Sequence, residues 1–361
     1  MVHPSGRRAL TGGMRAIVHT ETGPAATVLR LVEREAPEPA AGEVRVRVVL
    51  SGVNPTDWKS RAGERAGDPL PFPEVVPDQD GAGVVDAVGE GVHGLAVGDR
   101  VWTYLSAHGR PTGTAQEFTV LPASRVVPLP AGASFEVGAS LGVPAMTAHR
   151  ALTVHEDGPA RLAPGALAGR TVLVSGGAGA VGHAAVQLAT WAGATVVTTV
   201  SSPEKAALAR AAGARHVVDY RREDVVARVR EVAPDGVDVV VEVALAANAE
   251  IVRDVVATRG VVAVYADDGG APASVEVRPA MVANVRYQFV LLYTVGEAAL
   301  AAAVEDGTAA VGAGVLAVGE DAGLPLHVHP LERTAEAHDH VEGGAVGKVL
   351  VRVADDERGT L

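Results

Sequence analysis

The 361-residue chain contains no cysteine. Disulfides and thiolate catalysis are excluded, and a zinc site would have only histidine and carboxylate ligands to draw on. Aromatic residues are only 3% of the chain, which leaves few platforms for stacked bases. Positive charge is also short: 31 Lys and Arg against 43 Asp and Glu give a net charge of −12. Such a surface repels phosphate backbones and anionic lipid heads, so neither nucleic acid nor membrane is an expected partner. No apolar run approaches the roughly 18 unbroken residues of a membrane span. The opening MVHPSGRRALTGG has two arginines but no apolar stretch behind them, so it does not read as a secretory signal. These absences fit a cytoplasmic protein. No G-x-S-x-G elbow is read, so a Ser-His-Asp hydrolase is not expected.

What is present is apolar residue in quantity, 48% of the chain, enough for two domains with cores of their own. Residues 1–13 read as a disordered extension or tag. From residue 14 to about 135 the sequence is β-rich, with short alternating runs at Arg15–His19, Val44–Leu50, Gly83–Val88, Arg100–Tyr104 and Ala115–Val120. Dense prolines between them disfavour long helices, and a barrel-like β domain is the natural reading. From residue 136 the texture alternates. After a helical stretch at Glu136–Leu152, short Val-rich runs (Thr171–Ser175, Thr195–Val200, His216–Asp219, Val237–Val243, Val261–Tyr265) take turns with Ala-rich helical stretches. That pattern predicts a doubly wound α/β domain around a parallel sheet buried on both faces. A strand is expected at Tyr287–Val295, strand and turn within Gly307–Gly323, and a closing strand at Lys348–Val353. Residues 354–361 form a polar tail.

The most informative stretch is Val174-Ser-Gly-Gly-Ala-Gly-Ala-Val-Gly182. It holds G-x-G-x-x-G at Gly177, Gly179 and Gly182, between a strand and a helix. The first glycine permits the turn, the second admits a pyrophosphate, and the third lets helix pack on strand. The N–H groups of Ala180, Val181 and Gly182 open the helix and face the phosphates. In NAD sites an acid about 20 residues on grips the ribose 2′-hydroxyl. Here the second strand ends Thr-Thr-Val-Ser-Ser-Pro-Glu-Lys205, with Val200 and Ser201 where the acid would stand. A carboxylate there would repel a 2′-phosphate, whereas Ser201 and Lys205 would hold one. NADPH is favoured over NADH, a solvated helix lysine being the lesser reading of Lys205.

Several further motifs carry a resemblance. They are G-V-N-P at Gly52–Pro55, D-G-A-G-V-V-D-A-V-G at Asp80–Gly89, G-D-R-V at Gly98–Val101 and V-P-x-x-T-A-x-R-A-L at Val143–Leu152. Ala212–Tyr220, Pro330–His338 and Gly347–Val351 add three more. Together they resemble the zinc-independent quinone oxidoreductases, the zeta-crystallin-like branch of the medium-chain dehydrogenase/reductase superfamily, over roughly residues 14–353. The resemblance implies a GroES-like β-barrel catalytic domain beside a Rossmann NADPH-binding domain at 136–280. Residues 281–353 would finish the Rossmann sheet and return to the catalytic domain. It also implies a homodimer paired through the late strand Tyr287–Val295. In zinc-dependent members cysteine stands at the position of Asn54, and His-Glu at Gln79-Asp80; neither is present, so no metal is expected.

By resemblance, Asn54 lies near the nicotinamide ribose and Thr147 at the nicotinamide end. Lys205 and Tyr220, with Ser201 beside them, grip the 2′-phosphate. Tyr265, Ala266, Leu292 and Tyr293 line the nicotinamide side, and Lys348 lies near the cofactor. Some relatives carry a tyrosine five residues after the asparagine; here that residue is Lys59. Hydride delivered to an electron-poor acceptor leaves negative charge on its oxygen, and aimed donors stabilise that charge. Lys59 is the charged candidate and Asn54 the neutral one. Lys59 pairing with Asp57 or Asp80 at the surface is the alternative. Trp58, Lys59 and Tyr293 would form the substrate pocket, Trp58 reading equally as core. The expected activity is NADPH-dependent reduction of a quinone or α,β-unsaturated carbonyl. An enoyl-thioester or polyketide-tailoring ene-reductase, or an NADPH-binding protein with little turnover, are the alternatives.

Overall fold

Val, Pro and Gly set the first part of the chain as short strands. In the computed structural model, which describes residues 13–267 and 270–355, β1 (Met14–Val18) pairs antiparallel with β2 (Arg30–Arg34), and α1 (Ala25–Val28) lies between them. Nearly all of the expected N-terminal extension and tail fall outside the described residues. Then follow β3 (Glu43–Val53), α2 (Pro55–Ala62), β4 (Asp80–Val88), β5 (Arg100–Thr103), β6 (Phe118–Pro122) and β7 (Val126–Pro128). In the first half of β3, Val44, Val46 and Val48 are buried while Arg45 and Arg47 alternate with them on the outer face. In its second half both faces are buried, because the next helix packs across it.

That helix is the first part of the 136–152 stretch. It runs as α3 (Phe135–Ser140), a π-turn (Leu141–Ala145) around Pro144, and α4 (Met146–Leu152). Proline lacks the N–H that a regular ladder needs, and the wider turn accommodates the loss. The Rossmann elements come next: β8 (Thr171–Ser175), α5 (Ala180–Trp191), β9 (Thr195–Val200), α6 (Pro203–Ala211), β10 (His216–Asp219), α7 (Val225–Val232), β11 (Val237–Glu242), α8 (Leu245–Val255), β12 (Val256–Val264), α9 (Val277–Ala283) and β13 (Arg286–Phe289). The last elements are α10 (Glu297–Gly312), β14 (Leu326–Pro330), α11 (Thr334–Glu342) and β15 (Lys348–Arg352).

The strands form a six-stranded parallel sheet, β10-β9-β8-β11-β12-β13, and a seven-stranded sheet, β14-β15-β3-β4-β5-β7 with β6 on β3. The fold is α/β, a doubly wound Rossmann domain beside a GroES-like β domain to which the chain returns at its end. The reversal of strand order falls between β8 and β11, and a ligand crevice opens at such a reversal, beyond the carboxyl ends of the strands. One apolar core runs through both domains, from Leu50 and Trp102 across Leu141 and Met146 to Val174 and Val241.

Two expectations are corrected. The strand expected at Tyr287–Val295 stops at Phe289, since its partner β12 ends at Val264 and a Leu292–Thr294 turn follows. Within Gly307–Gly323 there is no strand among the described residues. The alanine-rich α10 continues through Gly312, then a turn follows at Glu320–Ala322.

Candidate active site

The glycine turn stands between β8 and α5, on the crevice. Gly177 and Gly182 are buried, Gly179 is exposed, and Ala180 and Val181 are half-buried. A Cβ at Gly177 would overlap the Thr198 hydroxyl, and one at Gly182 the Gly176 carbonyl oxygen. At Gly179 the nearest such atom is Gly176 O, 3.5 Å away. The first bond into α5 runs from His183 N to Gly179 O at 2.7 Å, so the Ala180, Val181 and Gly182 N–H groups precede the helix ladder and point outward. Of the three motif glycines, only Gly179 has room beside it. Across the cleft, Gly179 bridges Gly347, which brings the start of β15 from the other sheet against the turn.

At the end of β9, Tyr220 N donates to Val200 O at 3.0 Å, which brings Tyr220 beside Ser201. Ser202 caps α6 by accepting from Lys205 N at 3.3 Å. Ser201 and Lys205 are half-buried and Tyr220 exposed; among the described residues none of their side chains is engaged in a hydrogen bond or ion pair. Two charged groups at this corner were missed. Glu204, in the first turn of α6, bonds Ser202, which holds its carboxyl below the usual range, and Arg222 lowers it further. Glu204 stands within the strand-end segment itself, one residue before Lys205, while Arg222 lies outside every motif.

On the facing wall, α2 brings Asn54, Thr56, Trp58 and Lys59 to the domain junction. Tyr293 reaches over from the Rossmann side, donates to Thr56 Oγ1 at 2.9 Å and packs its ring 4.9 Å from that of His108. Burial pushes its hydroxyl above the usual tyrosine range. Tyr265 follows β12, its hydroxyl likewise pushed up by burial and then by Glu242. Glu242 ends β11 at the crevice floor, accepting from Ser175 Oγ at 2.7 Å and Asn248 Nδ2 at 2.9 Å. Ala266 and Trp58 are half-buried, and Thr147 and Leu292 buried. Lys59 is exposed and pairs with Asp267 at 2.9 Å, with neither Asp57 nor Asp80. Its charge bridges the mouth of the cleft.

Asn54 differs from its expected role. It is 1% exposed and both ends of its amide are taken. Nδ2 donates to Asp80 Oδ2 at 2.7 Å, and Oδ1 accepts from Lys348 Nζ at 2.6 Å. Its second N–H donates to Gly52 O at 3.3 Å, so no donor is left for a substrate oxygen. Asp57 accepts from Asn54 N at 2.7 Å and Gln79 N at 3.1 Å. Asp78 accepts from Ser51 at 2.8 Å and is paired with buried His338 at 2.9 Å. Burial raises the carboxyls of Asp57 and Asp80 and lowers Lys348. This buried network was invisible in the sequence because its members are scattered from residue 51 to residue 348. A literal G-x-S-x-G does occur at Gly138–Gly142, but Ser140 ends α3 and donates to Glu136 O at 2.7 Å, so it is no nucleophile elbow.

Comparison with known proteins meets this geometry. Residues 40–131 match the alcohol dehydrogenase GroES-like domain and residues 180–306 the zinc-binding dehydrogenase family. Rat quinone oxidoreductase is 31% identical over 357 residues, covering 94% of this chain and 97% of the relative. The chain belongs to the quinone oxidoreductase branch of the medium-chain dehydrogenase/reductase superfamily. It is an oxidoreductase. A 2-haloacrylate reductase from Burkholderia is 33% identical over 268 residues, 73% of this chain and 76% of the relative. A mycobacterial structure complexed with NADPH is 32% identical, with a TM-score of 0.75 over 94% of this chain and 99% of that one.

Proposed function

We propose that the chain is a zinc-independent, NADPH-dependent reductase of quinones or α,β-unsaturated carbonyl compounds, acting as a cytoplasmic homodimer. The observation that carries the reading is the glycine turn, whose three motif glycines leave room only at Gly179, with unengaged Ser201, Lys205 and Tyr220 at the adjoining strand end. Gly179, Ala180 and Val181 would hold the pyrophosphate, with Gly177 and Gly182 shaping the turn. Ser201, Lys205 and Tyr220 would hold the 2′-phosphate, and Thr147, Tyr265, Ala266, Leu292 and Tyr293 the nicotinamide side. Bound there, NADPH supplies a hydride. The protein must then stabilise charge on the acceptor oxygen. Asn54 is committed elsewhere and Lys59 is paired with Asp267, so the Thr56 hydroxyl, which accepts from Tyr293, is the better donor. Trp58 and His108 would flank the acceptor.

The residues at the metal-ligand positions do not fit zinc. Asn54, Gln79 and Asp80 offer no thiolate or imidazole, and the Lys348 ammonium already sits on the Asn54 oxygen, where a second cation would be repelled. The 2-haloacrylate reductase relative acts, by its name, on a conjugated acid, which favours conjugated carbonyl acceptors beside quinones. Phe289 and Leu291, 68% and 54% exposed on the edge strand β13 and just after it, support a dimer, since an open apolar edge invites pairing. No helix among the described residues is long and apolar enough to cross a membrane. Loss of NADPH absorbance against quinones, enones and enoyl thioesters tests the reading. Tight NADPH binding with no acceptor reduced would refute the reductase and leave a cofactor-binding protein. Reduction of thioesters alone would assign the ene-reductase instead.

A further inference from the structure

Asp80 begins β4 at the seam between the domains, and three separate elements converge on its buried carboxylate. Val143 N, inside the π-turn, donates to both oxygens at 3.0 and 2.9 Å. Asn54 Nδ2, at the start of α2, donates at 2.7 Å. Lys348 Nζ, at the start of β15, lies 3.9 Å away and is itself held by Val53 O at 3.1 Å and Asn54 Oδ1 at 2.6 Å. The backbone is shaped for this approach: a Cβ at Gly142 would overlap the carboxylate. What lies just beyond each donor matters most. Thr147 follows Val143 by one turn of α4, and Gly347, which precedes Lys348, bridges Gly179 of the glycine turn.

We infer that Asp80 is a positioning residue that clamps the π-turn leading to Thr147, and the Gly347–Lys348 corner against the glycine turn, in one register. It therefore sets the span between the two ends of the cofactor cleft. This rests on the reading of Gly179 and Thr147 as cofactor contacts. A plain structural role does not account for the arrangement, because the carboxylate is costly to bury. Burial raises Asp80 to about 6, against the opposing pull of Lys348, Asn54 and Val143. The other groups facing the cluster are Asp57 from α2, Asp78 from the loop before β4, His338 from α11 behind Asp78, and Tyr293 from the Rossmann side. Three buried carboxylates thus act on one buried ammonium, that of Lys348.

The sign follows. Asp80 has a folded pKa above its unfolded one, so its contribution to stability is greatest at low pH and is lost as pH rises through about 6. Protonation consequently relieves the fold. It also removes the charge that strengthens the bonds from Val143 and Asn54 and draws in Lys348. Cofactor affinity and fold stability through this group move in opposite directions as pH falls.

The test is Asp80→Asn in the full chain, with cofactor affinity read by fluorescence titration and stability by thermal unfolding. Affinity for NADPH is expected to fall by about tenfold to a hundredfold, as for one charged hydrogen bond. The melting temperature should hold or rise, and the KM for NADPH should carry the defect ahead of the KM for the acceptor. Wild-type affinity is expected to weaken below about pH 6 and the variant's profile to be flat. The 2′-phosphate titrates in the same window, so the series is repeated with NADH. A folded variant with wild-type affinity and pH profile would overturn the clamp. If the variant fails to fold, a flat wild-type NADH profile from about pH 5 to about 8 does so instead. A wild-type protein that binds neither cofactor brings down the underlying reading, and the clamp with it. A wild-type protein that binds while Asp80→Asn changes nothing sinks the clamp alone.

Discussion

Gly179→Ala separates cofactor contact from folding. The substitution meets only Gly176 O at 3.5 Å, an ordinary contact, and the backbone at φ −82 and ψ 161 suits alanine. Reduced freedom of the unfolded chain stabilises by about 0.4–1 kcal/mol, and replacing a glycine N-cap with alanine costs about 1 kcal/mol. The net change in stability stays within about 1 kcal/mol, a melting shift of a few degrees at most. A methyl group at this point would nevertheless occupy the place where backbone must meet the pyrophosphate. Losing one hydrogen bond to a charged group costs about 1.5–3 kcal/mol, hence a Kd for NADPH weaker by about tenfold to more than a hundredfold. Gly177→Ala and Gly182→Ala should instead lose melting temperature and binding together, since each overlaps protein atoms. Fluorescence titration and thermal unfolding on the three variants side by side make the comparison. A Gly179→Ala protein that binds NADPH like the wild type would refute phosphate docking at this turn.

Lys205→Ala is expected to raise the KM for NADPH by about tenfold and leave that for NADH unchanged, the mark of a lost 2′-phosphate contact; equal shifts in both would reassign Lys205 to the surface. Thr56→Val should lower kcat by about tenfold to a hundredfold through loss of a donor to the charged oxygen, with Thr56→Ser restoring it. Lys59→Met should change stability by less than about 1 kcal/mol, because its pair with Asp267 is exposed, and turnover far less than Thr56→Val does; the reverse order in steady-state kinetics would return the donor role to Lys59. Phe289→Glu with Leu291→Glu should give a monomer in sedimentation velocity where the wild type is expected to be a dimer, and a monomeric wild type would refute the edge pairing.

The Rossmann half was legible because local pattern decides it. A strand buried on both faces needs consecutive β-branched residues, and β9 occupies Thr195–Val200 where that run was read. The glycine turn was legible because overlap with Thr198 and the Gly176 carbonyl makes two of its positions intolerant of any side chain. Where a strand ends depends on its neighbour, and local pattern fails there. Val290 still donates to Val264 O at 2.8 Å, but β12 offers nothing further, so the apolar Leu291 and Leu292 leave the sheet. The two lysines show the same limit for the site. Lys59 and Lys348 both sit in or beside motif-bearing segments, yet Lys59 is exposed and Lys348 is buried among carboxylates. Residue type does not encode burial, and a network joining Asn54 to Lys348 is assembled by tertiary structure alone.

That network also bears on which acceptors the proposed enzyme can use. An internal ammonium held by Asn54 Oδ1 and Val53 O, with Asp80 at 3.9 Å, supplies positive charge to the protein and none directly to a substrate oxygen. Activation of the acceptor then rests on a neutral donor, the Thr56 hydroxyl, which stabilises developing charge less than a charged group in contact would. An acceptor that spreads the incoming charge over its own conjugated system needs least help of this kind. Quinones and α,β-unsaturated carbonyls have that property and isolated ketones lack it. The proposed substrate class therefore accords with where the buried charge is committed.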